Sequence, residues 1–351
     1  MKTVFDYINY YRNETFDDYK FNDMDNIVFS ALAYLPLDDL KNDLSIDNIG
    51  KIFEKKPSNL RSMKKVAFEI LDVIKGSKRY GNVIISNYVS ILDSTQFSAM
   101  TIRYKKGECY VAYRGTDNSL VGWRENFELS YKYPVECQKL AIDYLKKAVK
   151  FSDKIVYVGG HSKGGNLAMV SAMECVSLFD KIKTIYNNDG PGFREKEYNS
   201  IKYKRIKKKI KTFIPEESMV GIILLRDENY TVVKSKEHGP YQHYLSNWLC
   251  FGSFLEFGKL SKYSARVQEQ INDYVLESSA DDRKLMVETL FDILEKQNIK
   301  YFYEIRNMSF MEFSSLIKDA KGIDEKSKDV ILAMIKGLVF GEFKKNSDDD
   351  L

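Results

Sequence analysis

The stretch GGHSKGGN, residues 159–166, places four glycines around a single serine, Ser162. An apolar run, KIVYV, precedes it, and a run of small and apolar residues, LAMVSAMECVSLF, follows it. Gly160 to Gly164 fit the pattern G-x-S-x-G, in which a serine lies on a sharp turn between a buried strand and a helix. Both flanking elements are predicted here, so we interpret Ser162 as a nucleophile. The alternative is a structural turn that merely joins strand to helix.

Gly160 and Gly164 are predicted to support this turn. A serine on a tight strand-to-helix turn has a strained backbone, and side chains at the flanking positions would collide with neighbouring elements. The start of the following helix also presents backbone N–H groups to the point where negative charge would develop in a reaction. Lys163, directly after the serine, is expected to supply one of these N–H groups.

The remaining patterns predict an α/β fold. Apolar residues at three- and four-residue intervals indicate helices over 25–37 and 60–76. The runs NVIISNYVSIL, FSAMTIRYK and CYVAYRG indicate strands, the last two joined by a turn at Gly107. Helices then alternate with strands, including a strand that ends in a turn over 181–192 and a strand over 210–225. This alternation is typical of crossover connections, so we expect a mostly parallel central sheet flanked by helices.

The character of the sequence changes after about residue 256, where four helical patterns follow one another with almost no strand signal. We therefore predict one domain over 1–255, which includes the N-terminal helices, and a helical C-terminal region over 256–351.

Composition excludes several classes of protein. The chain has 351 residues, 44% of them hydrophobic, which is enough for a sizeable core, and its net charge of +4 does not indicate nucleic-acid binding. The sequence has no apolar stretch of about 18 residues and no signal-peptide pattern, so a cytoplasmic protein is expected. Four widely spaced cysteines predict buried thiols, and we expect neither a metal nor a cofactor. The basic run over 202–211 could meet phosphates or an anionic membrane surface, but its apolar spacing favours a solvated segment that leads into the next strand.

A serine nucleophile needs a base, and the chain has three histidines. His161 adjoins the serine and is interpreted as a packing residue. His238 and His243 follow a predicted strand, where the base belongs in this order of elements, and we favour His243.

The triad acid is expected between the serine and the base. Asp189, at the end of a predicted strand in NNDGPG, is the first candidate. The alternatives are Glu216, Glu217 and Asp227, and Asp189 could instead be a turn residue that bonds its own backbone.

The segment YRGTDNSLVGW, residues 113–123, supplies a second group of candidates. An oxyanion hole needs one N–H from such an early loop, and Thr116 is expected to donate it, together with the N–H of Lys163. We further predict a buried ion pair between Arg114 and Glu125 that makes this loop rigid, the alternative being a surface arginine.

Taken together, YRGTD, GWREN, GGHSKGGNLA, NNDGPGF and the later QH and W resemble the class 3 lipase-like branch of the α/β-hydrolases. Within it the resemblance is greatest to a bacterial group known as a domain of unknown function. It covers about residues 25–255 and implies an α/β-hydrolase fold with a Ser-Asp-His triad. Residue by residue, it places the nucleophile on Ser162, the acid on Asp189, the base on His243 and the oxyanion threonine on Thr116.

Two positions depart from the pattern of class 3 lipases. Those lipases usually have leucine where Lys163 stands, and they place the acid after a later strand, where this chain has Ser218. Residues 118–133 occupy the position of their lid, and its apolar side chains could admit an acyl chain or could anchor a helix to the core.

We therefore expect a serine hydrolase that cleaves lipid or other acyl esters through an acyl-enzyme on Ser162. The small-molecule ester would be its partner, with possible peripheral contact to a membrane. The alternative is a catalytically silent hydrolase-like scaffold that binds a partner or a membrane surface.

Overall fold

The computed structural model describes residues 1–38, 43–57, 60, 62–226 and 229–340. Within these ranges the strands are β1 (Leu44–Ser45), β2 (Ile84–Leu92), β3 (Gln96–Lys105), β4 (Glu108–Tyr113), β5 (Ile155–His161), β6 (Ile182–Asn188), β7 (Ile210–Pro215), β8 (Thr231–Val233), β9 (Cys250–Phe251) and β10 (Phe254–Leu255). The N-terminal helices are α1 (Val4–Tyr11), α2 (Asp23–Leu32), α3 (Ile46–Ile52) and α4 (Ser62–Ile74). The helices between strands are α5 (Leu120–Glu128), α6 (Glu136–Ala148), α7 (Lys163–Glu174), α8 (Glu195–Tyr198) and α9 (Ile201–Ile206). The C-terminal helices are α10 (Lys262–Glu277), α11 (Ala280–Lys296), α12 (Phe310–Lys318) and α13 (Glu325–Ile335).

Strands β1 to β8 form one sheet in the order of the sequence, and β9 and β10 form a separate hairpin. Pairing is antiparallel from β1 to β4 and parallel from β4 to β8. The predicted hairpin between β3 and β4 is confirmed, and Gly107 in its turn has φ +77°. The α/β-hydrolase fold, with a largely parallel sheet flanked by helices, is likewise confirmed.

The two faces of the sheet carry different helices. Successive parallel strands lie side by side, so right-handed crossovers place α6, α7 and α9 on one face. Helices α1, α2 and α4 cover the other face. Successive side chains of β4 point to opposite faces of the sheet, as the two-residue period of a strand requires. Val111 belongs to the core under α7, whereas Tyr110 and Ala112 belong to the core under α2.

Register brings the ends of the parallel strands to one edge of the sheet. Tyr113 pairs with Gly160, His161 with Asn188, and Asn188 with Phe213. The residues that follow β4, β5 and β6 therefore lie next to one another at the carboxyl edge, where open α/β sheets place their binding sites.

The C-terminal helices build a third core. It includes α10 to α13 and takes in Phe127 from α5 and Met219 and Ile222 from the segment after β7. Because this core is shared with residues before 256, the division into 1–255 and 256–351 stays a prediction.

Two element boundaries differ from the prediction. The helix expected over 25–37 spans Asp23–Leu32. The strand expected over 210–225 ends at Pro215, because the residues after it turn back to bond other loops: the Ile223 carbonyl accepts from Gly192 N–H at 2.9 Å.

The basic run over 202–211 leads into β7 as predicted. Tyr203 and Ile206 are buried, and Lys209 Nζ donates to the carbonyls of Phe179 and Ile182 at 2.6 and 2.7 Å. All four cysteines are buried and unpaired. None of the helices in the described ranges is both long enough and apolar enough to cross a membrane.

Candidate active site

Ser162 lies on the turn between β5 and α7, with φ +58° and ψ −132°. A positive φ is costly for a residue with a Cβ, and such strain collects at functional turns. The turn is fixed by its backbone, since Ser162 N–H donates to the Asn188 carbonyl and the Ser162 carbonyl accepts from Gly165 N–H, both at 2.9 Å. The side chain sits almost buried at the carboxyl edge of the sheet.

Gly160 and Gly164 crowd together under this turn. A Cβ on Gly160 would lie 2.5 Å from both Gly164 C and the Tyr113 carbonyl oxygen, and one on Gly164 would overlap that same oxygen. Both positions therefore exclude a side chain, as the sequence predicts.

Asp189 and His243 form a pair at the same edge. His243 Nδ1–H donates to Asp189 Oδ2 at 2.6 Å, and Asp189 is fully buried while the His243 side chain stays 24% exposed. The other oxygen, Oδ1, accepts from Ser218 Oγ at 2.5 Å and from Gly221 N–H at 3.0 Å. A carboxylate held in this way fixes the imidazole tautomer, so that Nε2 is left to accept a proton.

Glu216 and Glu217, the two described alternatives for the acid, are not placed against His243. Glu217 Oε2 accepts from Gly239 N–H at 2.5 Å and from Gln242 Nε2 at 3.0 Å, so this carboxylate anchors the loop that carries His243. Glu216 makes no hydrogen bond to His243 within the described ranges, and Asp227 lies outside them.

The other histidines take different places. His238 is exposed at the start of the 3₁₀ turn Gly239–His243. His161 is buried, and the centre of its ring lies 4.3 Å from that of His243.

The hydrogen bond expected for proton transfer from Ser162 to His243 is not formed in this structure. Among the described side chains, the Ser162 hydroxyl makes no hydrogen bond to His243. The His243 ring instead packs on His161, the residue directly before the serine. Such contacts are often long in unliganded enzymes and tighten when substrate binds.

Thr116 and Lys163 lie where the sequence predicts, after β4 and directly after Ser162. Thr116 follows β4, and its Oγ1 accepts from Asn126 Nδ2 at 2.7 Å. Lys163 is the first residue of α7, where a backbone N–H has no partner within the helix. The Gly115 carbonyl before Thr116 accepts from Gln96 Nε2 at 3.4 Å.

The predicted Arg114–Glu125 ion pair is wrong. Glu125 pairs with Lys163, whose Nζ lies 2.7 Å from Oε2, and both side chains are buried. Lys163 Nζ also donates to the Gln96 carbonyl at 2.8 Å, and Thr95 Oγ1 bonds Glu125 Oε1. Arg114 is buried as well, and its Nε has no hydrogen-bond partner in the described ranges.

The correction follows from helix geometry. Helix α5 directs Glu125 toward the start of α7, where Lys163 directly follows the turn at Ser162. A lysine at the start of a largely apolar, buried helix is the signal in the sequence that could have identified this pair, because a buried ammonium needs a carboxylate partner.

Residues 118–133, predicted to lie at the lid position, form helix α5 and its flanks. Trp123 stacks on Phe302 of the C-terminal region with ring centres 4.0 Å apart, and Arg124 pairs with Glu295 at 2.6 Å. Phe127 is buried in the third core. In this structure the apolar side chains anchor the helix.

A family model described as Mbeg1-like matches residues 74–292 of the chain. Among solved structures, M37 lipase is 16% identical with a TM-score of 0.36, covering 56% of this chain and 68% of that chain. A mutant form of MDLA from Penicillium cyclopium is 14% identical with a TM-score of 0.39, and a structure described as fungal lipases is 15% identical with a TM-score of 0.39. Each of these two covers 67% of this chain and 84% of the other. No curated protein matches the chain.

Proposed function

This chain belongs to the Mbeg1-like family, and we propose that it is a serine hydrolase that cleaves carboxylic esters through an acyl-enzyme on Ser162. Family and fold indicate a hydrolase of the lipase or esterase type. The observation that carries the finer proposal is the Asp189–His243 pair, whose nitrogen and oxygen lie 2.6 Å apart at the sheet edge where Ser162 occupies a strained turn.

In the proposed reaction, His243 Nε2 takes the proton of Ser162 Oγ as the oxygen attacks the acyl carbon of the ester. Asp189 keeps the Nδ1–H tautomer in place and stabilises the imidazolium that forms. The oxyanion of the tetrahedral intermediate would be met by the backbone N–H groups of Thr116 and Lys163.

Collapse of this intermediate transfers the proton from His243 to the departing alcohol and leaves an acyl group on Ser162. Water, deprotonated by the same imidazole, then attacks the acyl carbon. The bond between that carbon and Ser162 Oγ breaks, the imidazolium of His243 returns its proton to Oγ, and the carboxylic acid is released. The sequence of steps needs no metal and no cofactor, and its partner is a small-molecule acyl ester.

The test is covalent labelling followed by turnover. A fluorophosphonate probe is expected to label the folded protein at Ser162, located by mass spectrometry of the tagged peptide. Ser162→Ala should abolish labelling and lower kcat for p-nitrophenyl esters by up to about a millionfold. Ser171→Ala is the matched control, because this serine is buried on the same helix and bonds the Ala168 carbonyl. Folded protein that neither reacts with the probe nor turns over esters would overturn the proposal.

One observation favours a second candidate, a catalytically silent scaffold that binds a partner or a membrane surface. The hydrogen bond between Ser162 and His243 is not formed in the part of the chain that the structure describes. The two candidates separate in the labelling experiment. If labelling fails, binding to anionic vesicles that is lost when Lys207 and Lys208 are neutralised would support the scaffold.

A panel of acyl substrates tests which class of bond the protein cleaves. We propose acyl esters, lipid esters among them, and short and long p-nitrophenyl esters, a thioester and a peptide amide would be compared on one preparation. The comparison is needed because the same acyl-enzyme chemistry serves esters, thioesters and amides. A higher kcat/KM for the amide or the thioester than for every ester would contradict the ester assignment.

A further inference from the structure

His161 adjoins the candidate nucleophile, yet its side chain points away from solvent and uses both ring nitrogens. Tyr34, just after the end of α2, donates its hydroxyl proton to Nδ1 at 2.9 Å. On the other side of the ring, Nε2 lies 2.7 Å from the main-chain carbonyl of His243. The imidazole thus bridges the N-terminal helices and the base.

These partners fix the tautomer. A carbonyl oxygen can only accept, so Nε2 must carry the proton that is donated to His243, and Nδ1 accepts from Tyr34. Burial, assisted by the neighbouring His243, holds the pKa of His161 well below its ordinary value. The ring therefore remains neutral with both hydrogen bonds made.

Tyr34 extends this link to the oxyanion loop. Its oxygen lies so close to Gly115 that a Cβ at that position would overlap it. The same Cβ would lie 3.0 Å from Ser162 Cβ, and Gly115 directly precedes Thr116. The Tyr34 hydroxyl therefore touches the loop whose amide is proposed to meet the oxyanion.

The loop of the base depends on such donors. Within the turn Gly239–His243, the Gln242 carbonyl accepts from Trp248 Nε1 at 2.8 Å, which ties the loop to a residue six positions on. The His243 carbonyl accepts from His161, which ties the loop to the turn that carries the serine. A shift of this carbonyl would move the imidazole of His243 with it.

We propose that His161 and Tyr34 are positioning residues for the ester hydrolysis, joining the loops that carry Thr116, Ser162 and His243. This inference rests on the proposed function. Neither side chain meets the reacting atoms; each holds a main-chain segment that does. Misplacement by about 1 Å can cost a reaction about 100-fold, so loss of the bridge should appear in kcat.

The test compares two substitutions of similar size. His161→Leu removes the donor to His243, whereas His161→Gln places an amide nitrogen where Nε2 stood. We expect His161→Leu to lower kcat by about 10- to 100-fold with KM within about twofold, and His161→Gln to recover most of that loss. Tyr34→Phe should lower kcat less, by several-fold.

Tyr144→Phe is the matched control for Tyr34→Phe. Its hydroxyl is also buried and bonded, but Tyr144 belongs to α6 and its partners are Thr101 of β3 and the Asn87 carbonyl of β2, none of which lies on the three loops. Activity of Tyr144→Phe is expected to stay at the level of the natural chain. Urea unfolding of every variant shows that the kinetics are measured on folded protein.

Several results would overturn the proposal. Equal loss in the Leu and Gln variants would show that the donor is immaterial, and a raised KM at unchanged kcat would show a role in binding. Should His161→Leu fail to fold, Tyr34→Phe decides, and unchanged kcat there rejects the bridge. If the natural chain itself is not labelled at Ser162, the proposed function fails and this inference falls with it. If Ser162 is labelled normally and His161→Leu leaves kcat unchanged, the positioning role is rejected while the proposed function stands.

Discussion

Asp189 divides its two oxygens between different tasks. One bonds the imidazole of His243, and the other is held by Ser218 Oγ and Gly221 N–H. The resemblance to class 3 lipases places their acid at the position of Ser218; in this chain Ser218 instead donates a hydrogen bond to Asp189, the proposed acid.

Replacing the acid tests this assignment. Asp189→Asn keeps the shape of the side chain, but an amide can orient the imidazole in the wrong tautomer, and we expect kcat for an acyl ester to fall by about 10⁴-fold. Glu216→Gln, a neighbouring alternative that makes no bond to His243 in the described ranges, should leave kcat unchanged. The reverse pattern in steady-state kinetics would move the acid to Glu216.

His161 makes stability depend on pH. Burial, together with the adjacent His243, lowers its pKa far below the ordinary 6.5. Below about pH 6.5, His161 therefore binds a proton in the unfolded chain but stays neutral in the folded chain. The free energy of unfolding should fall with decreasing pH by up to about 1.4 kcal/mol per unit, until the folded-state pKa is reached.

His161→Gln removes this contribution because an amide does not titrate. Urea unfolding of both proteins between pH 7 and pH 5 is expected to show the natural chain losing stability faster than the variant. Parallel curves over that range would show that the buried imidazole is not a source of acid sensitivity.

At the scale of elements, α5 is held from two sides. Its inner side bonds the start of α7 through Glu125 and Lys163, and its outer side meets the C-terminal helices through Trp123 and Arg124. Because α5 is bound in this way to the first residue after Ser162, it links the segment 118–133 to the turn that carries Ser162.

The buried pair can be measured by substitution. Lys163→Met leaves the Glu125 carboxylate buried without a cation and should cost about 3–5 kcal/mol of unfolding free energy. Adding Glu125→Leu is expected to recover a good part of this loss, although Thr95 Oγ1 and Gln96 N–H then lose their acceptor.

Arg124→Met is the control for this pair, because the ion pair of Arg124 with Glu295 is in contact with solvent, the two side chains being 33% and 57% exposed, and should contribute about 1 kcal/mol or less. Urea denaturation at pH 7 measures all three proteins. A double variant no more stable than Lys163→Met would mean that the carboxylate is not the source of the cost.

At the scale of the whole molecule, three cores meet around the candidate site. The sheet contributes one on each face, and the third joins α10 to α13 with α5 and the segment after β7. The C-terminal helices therefore support the elements that carry Trp123 and Met219.

Phe302→Ala tests whether the C-terminal region holds α5 in place. Loss of this buried ring should cost about 3–5 kcal/mol and should speed hydrogen exchange at the α5 amides, because Trp123 loses its stacking partner. Phe313→Ala removes an equally buried ring from α12 and should cost as much while leaving α5 protected at the natural level. Exchange that rises equally in both variants would indicate general loosening of the helices.

Much of the fold was readable in the sequence by itself. The serine turn is a local feature, since a buried strand, two glycines and a helix start are written in consecutive residues. Helix and strand periods are local too, and they gave the alternation that implies a parallel sheet. Chain order then pointed to Asp189 and His243, which the structure brings together across 54 residues.

Only the tertiary structure decided which side chains meet. Glu125 pairs with Lys163 and not with Arg114. His161 bonds the main chain of His243, although its position in the sequence suggested a packing role only. Such partners are set by strand order and register, which bring residues far apart in the chain to one sheet edge. A periodic pattern shows which face of an element is buried, but the group it meets there depends on every other element packed against that face.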